Sequence, residues 1–380
     1  MIKKILLFAC ITLSCLACKN TVVQDNKSIV YKINLDKKSN PFEKVFSKAE
    51  VIPLETTDSS LIIWIEKVIP DDDKIYVHDA FRNKLFCFNN EGKLNHQISR
   101  YGQGANEYIN MNDCIIDEAN DDIYMLSMWG RIKRFDLKGI YKQEIELPAR
   151  PHYYSMELLG DKYATLWSCL EAEEGGVLVV DRFTGDSIVS DWHDDRMFDN
   201  QCHKPFHRYD GKVYFSTALR QQIYEVTTSG LFPAYLWDFG KDNIRKDLLE
   251  YYLNIEKDNE RNKRIIGDIG TESLPFELEI NCQNSQYAYV SLRRETGMRP
   301  TLTHVFYDKK SNHSHVFDTL DGKECRMNAP LYFGDDYLLV DVLYENRETY
   351  KSILPESEYK KLETMKEDDN PCLLKLYFKK

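Results

Sequence analysis

After residue 18 the chain has no apolar run long enough to cross a bilayer as a helix, which excludes a polytopic membrane protein of the helical kind. It lacks CxxC pairs and zinc-type Cys/His spacing. It also lacks a GxSxG elbow, an HExxH helix signature and any carboxylate pair set apart from the many other Asp and Glu residues. No structural zinc and no readable catalytic motif follow from it. Basic clusters are missing too. With 50 Lys and Arg against 61 Asp and Glu the net charge is −11, which argues against nucleic acid as a partner.

What the first residues do have is a basic start (Lys3, Lys4), an apolar stretch from Ile5 to Leu13, and small residues ending in Ala17-Cys18. This is the pattern of a secretory signal, and Ala17-Cys18 resembles a bacterial lipobox, although Cys15 stands where Leu is usual. We expect residues 1–17 to be removed, Cys18 to be lipidated, and residues 18–27 to form a tether. Loss of Lys3 and Lys4 would take the net charge to −13. Of the ten cysteines, Cys10, Cys15 and Cys18 fall in this start. The remaining odd, scattered seven are expected to pack as small apolar residues rather than form a disulfide framework.

Four glycines, Gly92, Gly139, Gly185 and Gly230, recur at intervals of 47, 46 and 45, each closing a turn after a short β-rich run. A period in the forties with a constant strand-turn pattern marks a circular array of small sheets. Copies at Asp72, Asn120, Lys162, Lys212, Gln286 and Asp336 count six. Residues 28–380 therefore read as an all-β, six-bladed β-propeller of four-stranded antiparallel blades. The last copy has only CLLKLYFKK after its second strand. Its missing outer strand should come from the N-terminal region, with AEVIPLE from Ala49 the first choice and SIVYKINL from Ser28 beside it. Two segments break the frame, at 241–266 and 355–368, and both are read as small helical insertions decorating the ring.

The segment from Val51 to Tyr108, with the strand Val51–Thr56 and the loop carrying Gly102, Gly104, Glu107 and Tyr108, resembles the six-bladed β-propeller lipoproteins of Gram-negative outer membranes, a family related to NHL repeats. The resemblance implies the same architecture and an outer-membrane anchor on the periplasmic or cell-surface side. It implies no chemistry.

Candidate site residues follow from the frame. Loops joining second to third strands gather at one mouth of a propeller channel, and five blades carry arginine there: Arg82 with Asn83, Arg131 beside Trp129, Arg220, Arg293 with Arg294, and Arg347. Such guanidinium groups can hold carboxylates or sulfates, or can bridge their own blade's loops. Tyr108 and Trp129, with Tyr101, Tyr153 and Trp167, are candidates to stack on sugar faces. We expect no metal. The alternative is a divalent ion held by His152, His203 and His207 in a channel hydrolase or lyase. The leading expectation is a lipid-anchored, non-enzymatic module for a glycan, peptide or membrane-associated protein partner. A scaffold docking through the 241–266 insertion is a further alternative.

Overall fold

The computed structural model describes residues 28–38, 42–104, 106–149, 152–168, 176–191, 204–295, 301–320, 323–324 and 327–380. The expected signal, tether and lipidated Cys18 lie outside these residues. Six four-stranded antiparallel sheets follow one another as blades. Blade one comprises Ile65–Asp71, Lys74–Asp79, Lys84–Asn89 and Leu94–Ile98, and blade two comprises Asp113–Asp117, Asp122–Ser127, Arg131–Phe135 and Tyr141–Glu146. Blade three comprises Tyr153–Leu159, Tyr163–Ser168, Gly176–Asp181 and Ser187–Asp191. Blade four comprises Phe206–Tyr209, Lys212–Thr217, Arg220–Thr227 and Gly230–Asp238. Blade five comprises Glu277–Gln283, Tyr287–Arg293, Leu302–Asp308 and His313–Phe317. In blade six a short inner strand, Tyr332–Phe333, precedes Tyr337–Val342 and Cys372–Phe378.

The outer strand of blade six is Phe46–Pro53, antiparallel to Cys372–Phe378, with Val51 opposite Leu374. This is the closure read from AEVIPLE: chain start and chain end share one sheet, and the ring presents no open seam there. SIVYKINL goes elsewhere. Ile29–Lys32 runs parallel to Gly230–Asp238 as a fifth strand of blade four, not beside Ala49 in blade six. Its apolar side chains explain the choice. Tyr31 packs 5.2 Å from both Tyr235 and Trp237 and 4.7 Å from Tyr307, and Ile33 and Leu35 join the same buried cluster between blades four and five. Lys38 then bridges to Val316 on the outer strand of blade five. The N-terminal segment is thus a belt across three successive blades.

The periodic glycines have a physical cause. Gly92 and Gly185 sit at φ +80° and +82°, a region L side chains rarely adopt. A Cβ on Gly92 would lie 2.0 Å from the carbonyl oxygen of Pro53, and one on Gly185 would lie 2.0 Å from that of Glu146. Pro53 and Glu146 end the outer strands of the preceding blades, so each turn is pressed onto its neighbour.

Both helical insertions are integrated rather than decorative. The first is two helices, Lys246–Leu253 and Asp258–Asp268, split after Asn254. Leu248, Tyr252 and Ile265 turn inward onto the Trp237 and Phe276 cluster, and Tyr252 donates to Asp268 Oδ2 at 2.9 Å. Only Tyr251 and Ile266 among its large apolar side chains are exposed, which leaves no continuous docking stripe. The second, Glu356–Glu363, buries Tyr359 and Leu362. Its Glu358 accepts the Val51 amide at 2.7 Å and its Lys361 donates to the Val51 carbonyl at 3.0 Å, clamping the closing strand.

Candidate functional site: the mouth loops and the axial channel

Antiparallel order gives the ring two faces. Turns after the inner strand and the glycine turns lie on one; second-to-third-strand loops and blade-to-blade connections lie on the other, the mouth face. On the mouth face of blades one and two, polar side chains tie successive loops together. The buried Asp79 carboxylate accepts the amides of Ile63 at 2.7 Å and Arg82 at 3.1 Å. Asn83, at φ +51°, accepts the Met111 amide at 2.8 Å through Oδ1, and its carbonyl accepts the Tyr108 hydroxyl at 2.8 Å. Asn110 Oδ1 accepts the Ser127 hydroxyl at 2.9 Å and the Met128 amide at 3.0 Å.

These ties hold a row of large side chains out in solvent. Phe81 is 71% exposed, Tyr101 66% and Trp129 63%, with Ile63, Trp64 and Ile109 also exposed on the same loops. A folded chain normally buries such rings, and here they cluster on one sector of the mouth face. Arginine neighbours three of them in sequence: Arg82 follows Phe81, the exposed Arg100 precedes Tyr101, and Arg131 follows Trp129 by two. His152, also at positive φ, sets its ring edge-on to Trp129 at 5.5 Å.

Several expected site residues have other tasks. Tyr108 is buried, with burial pushing its hydroxyl up to about 12, and it serves the loop ties rather than a ligand. Tyr153 and Trp167 are buried between blades. Asn83 spends its side chain on Met111. Arg131 lies 3.4 Å from Glu144 of its own blade. Arg293 pairs with Glu277 and, at 3.3 Å, with Glu279. Burial pushes the Glu277 carboxyl up to about 7 in spite of that guanidinium. Arg347, in the 3-10 segment Tyr344–Tyr350, lies 3.7 Å over the Tyr344 ring and donates to its carbonyl. On an acidic chain each of these guanidinium groups finds a partner in its own blade, but Arg131 keeps 54% of its side chain exposed beside Glu144 and stays open to a ligand. Arg220 opens the third strand of blade four and Arg294 follows the second strand of blade five, both half-buried.

The channel itself carries charges that the loop-centred reading missed. Inner strands of all six blades line a cavity of about 300 Å³. In it Lys67 Nζ donates to Asp113 Oδ1 at 2.9 Å and to the Cys114 carbonyl at 3.0 Å. Asp113 Oδ2 accepts the Ser155 hydroxyl and the Met156 amide, both at 2.9 Å. Burial alone would push the Lys67 ammonium down; the Asp113 and Glu157 carboxylates outweigh it and hold it above the ordinary lysine range. Glu157 is pushed up by burial, against the pull of Lys67 and Arg208, and lies 3.8 Å from Arg208. A signal existed for this set: Lys67, Asp113 and Glu157 follow one another at 46 and 44 residues, the spacing of the blades themselves.

His207 is stacked on Tyr214 at 5.0 Å in the channel wall, and burial pushes its imidazole down to about 3. His152 sits on the mouth, and His203 lies outside the described residues. Among the described residues no three His, Cys, Asp or Glu side chains converge as a metal ion requires.

The family model for a domain of unknown function, DUF4934, matches residues 29–377. The chain belongs to this family. Among curated proteins none matches the sequence. Of solved structures, it is similar to a protein described as exported from Bacteroides fragilis, at 17% identity and TM-score 0.72, covering 93% of this chain and 99% of that one. It is also similar to a member of the DUF4221 family from Bacteroides vulgatus, at 10% identity and TM-score 0.52, covering 88% and 97%. At these identities the likeness is one of fold.

Proposed function

We propose that the protein is an extracytoplasmic binding module, anchored by a lipid on Cys18, that holds an anionic glycan across the mouth loops of blades one and two. The observation that carries this reading is the row of exposed rings, Phe81, Tyr101 and Trp129, each with an arginine beside it in the chain and each on a loop fixed by Asp79, Asn83 or Asn110. Flat rings stack on sugar faces, while guanidinium groups take carboxylates or sulfates through paired hydrogen bonds. Fixed loops lower the ordering cost of binding. The signal-like start and the exported neighbour from B. fragilis support the location.

Binding of oligogalacturonate and heparin fragments, a neutral oligosaccharide and an acidic peptide to the mature chain tests the reading. Trp129→Ala should weaken acidic-glycan binding by about tenfold or more, and Arg82→Gln with Arg131→Gln should remove its salt dependence. Preference for the acidic peptide, or indifference to these substitutions, would replace the glycan.

A further inference from the structure

The axial cavity is chemically distinct from the mouth loops and has its own charge pattern. Lys67 is committed to Asp113 by a 2.9 Å hydrogen bond. Glu66, whose Oε2 accepts the Trp64 indole N–H at 3.2 Å, and Glu157, whose Oε1 accepts the Leu158 amide at 2.9 Å, stand on blades one and three with acceptor capacity left over, and Lys204 and Arg208 stand on blade four, all lining the same space. In a ring of six, blade one faces blade four across the lumen. The contact between Arg208 and Glu157, at 3.8 Å, is too long for a hydrogen bond. Blade six supplies an apolar wall, Pro330, Leu331 and the ring of Tyr332. On blade four His207 is buried with its Nδ1 unpartnered.

From this arrangement we infer that the channel is a second binding site, for a small zwitterion of the α-amino-acid or dipeptide class with an apolar side chain. Its carboxylate would lie on Lys204 and Arg208, its ammonium on Glu157 and Glu66, and its side chain against Tyr332. The charge balance selects this class. A simple anion would satisfy blade four and leave the two carboxylates facing it, and a simple cation would do the reverse; only a molecule carrying both charges completes both walls. A cavity of about 300 Å³ lies at the small end of ligand sites, which excludes a long chain. Burial already disfavours the charged form of Glu157, so an ammonium bound beside it would offset that cost.

The test is calorimetric titration of the mature chain with phenylalanine, the dipeptide Leu-Leu, and two single-charge analogues, 3-phenylpropionate and phenethylamine. Saturable binding of the zwitterions, with both analogues weaker by about tenfold or more, is the expected result. Arg208→Gln and Glu157→Gln should each reduce zwitterion affinity, and Lys204→Gln gives a milder check should either of these fail to fold. Trp129→Ala should leave this binding intact, which separates it from the mouth site. Absence of zwitterion binding, analogues that bind as well, or variants that bind like the parent would overturn the inference.

Discussion

Asp113 and Lys67 meet at 2.9 Å inside the channel, and the other oxygen of the same carboxylate holds Ser155 and Met156, so one side chain of blade two fastens both neighbouring blades. Asp113→Ala would strand a largely buried ammonium, a hydroxyl and an amide together. It should cost about 3–5 kcal/mol, read as a shift in the urea midpoint. Ser155→Ala, which removes one donor and leaves the pair, should cost only about 1 kcal/mol. Equal effects from the two would show that the carboxylate does not join the blades.

The pressed turns make a contrast between two glycines informative. Gly160 also has positive φ, at +63°, but a Cβ there would meet nothing within 4 Å. Gly160→Ala should therefore cost only the backbone strain of about 1–2 kcal/mol, while Gly92→Ala adds a collision with the Pro53 carbonyl at the ring closure. Thermal melting of the two variants should place Gly92→Ala clearly lower.

Acid sensitivity should trace in part to His304. Its Nε2–H donates to the Met327 carbonyl at 3.1 Å, which leaves Nδ1 of the neutral ring to accept the Tyr289 hydroxyl at 2.8 Å. Burial pushes its pKa down to about 4 from 6.5. The unfolded chain therefore takes up a proton first, and stability present above pH 6.5 is lost as the pH falls toward 4. Glu277, raised from 4.5 to about 7, acts with the opposite sign, losing stability as the pH rises through 7. Comparing denaturation midpoints of the parent and His304→Gln at about pH 7 and about pH 4.5 isolates the histidine, and the variant should show the shallower drop.

Loop fixation at the mouth rests heavily on Asn110. Asn110→Ala leaves the Met128 amide without its acceptor and should free Trp129, raising iodide quenching of tryptophan fluorescence and weakening ligand at the mouth while global stability falls by about 1 kcal/mol. Unchanged quenching would show that the tie does not order the ring.

Much of this architecture is legible in the sequence. The glycine period and the Tyr-centred strands encode the blades because every blade solves the same packing problem, and the unfinished sixth copy points to Val51 as its completion. The partner of Tyr31 was not legible: its strand is short, and only the rings of Tyr235, Trp237 and Tyr307 decide where it rests. At the site, Trp129 and Tyr101 are legible as aromatics near the mouth, whereas no repeat or motif singles out Phe81 or Ile63. Tyr108 looked like them in sequence and differs because its hydroxyl reaches Asn83 and Ile98 inside the fold. Among the arginines, Arg131 and Arg293 meet carboxylates of their own blades, Glu144 and Glu277, and Arg347 meets Tyr344 of its own loop, pairings that no spacing in the sequence announces.

The parallel sense of Ile29–Lys32 carries one last consequence. It ascends beside Gly230–Asp238, whose own path starts at the glycine turn and ends at the loops, so Ile29, opposite Tyr235, is its end nearer the glycine turn and Lys32, opposite Asp238, its end nearer the mouth. Were acyl chains to moor Cys18 in a bilayer, as proposed, a pull on that mooring would enter the described fold at Ser28 and load the ladder to Gly230–Asp238 ahead of the strand that closes the ring.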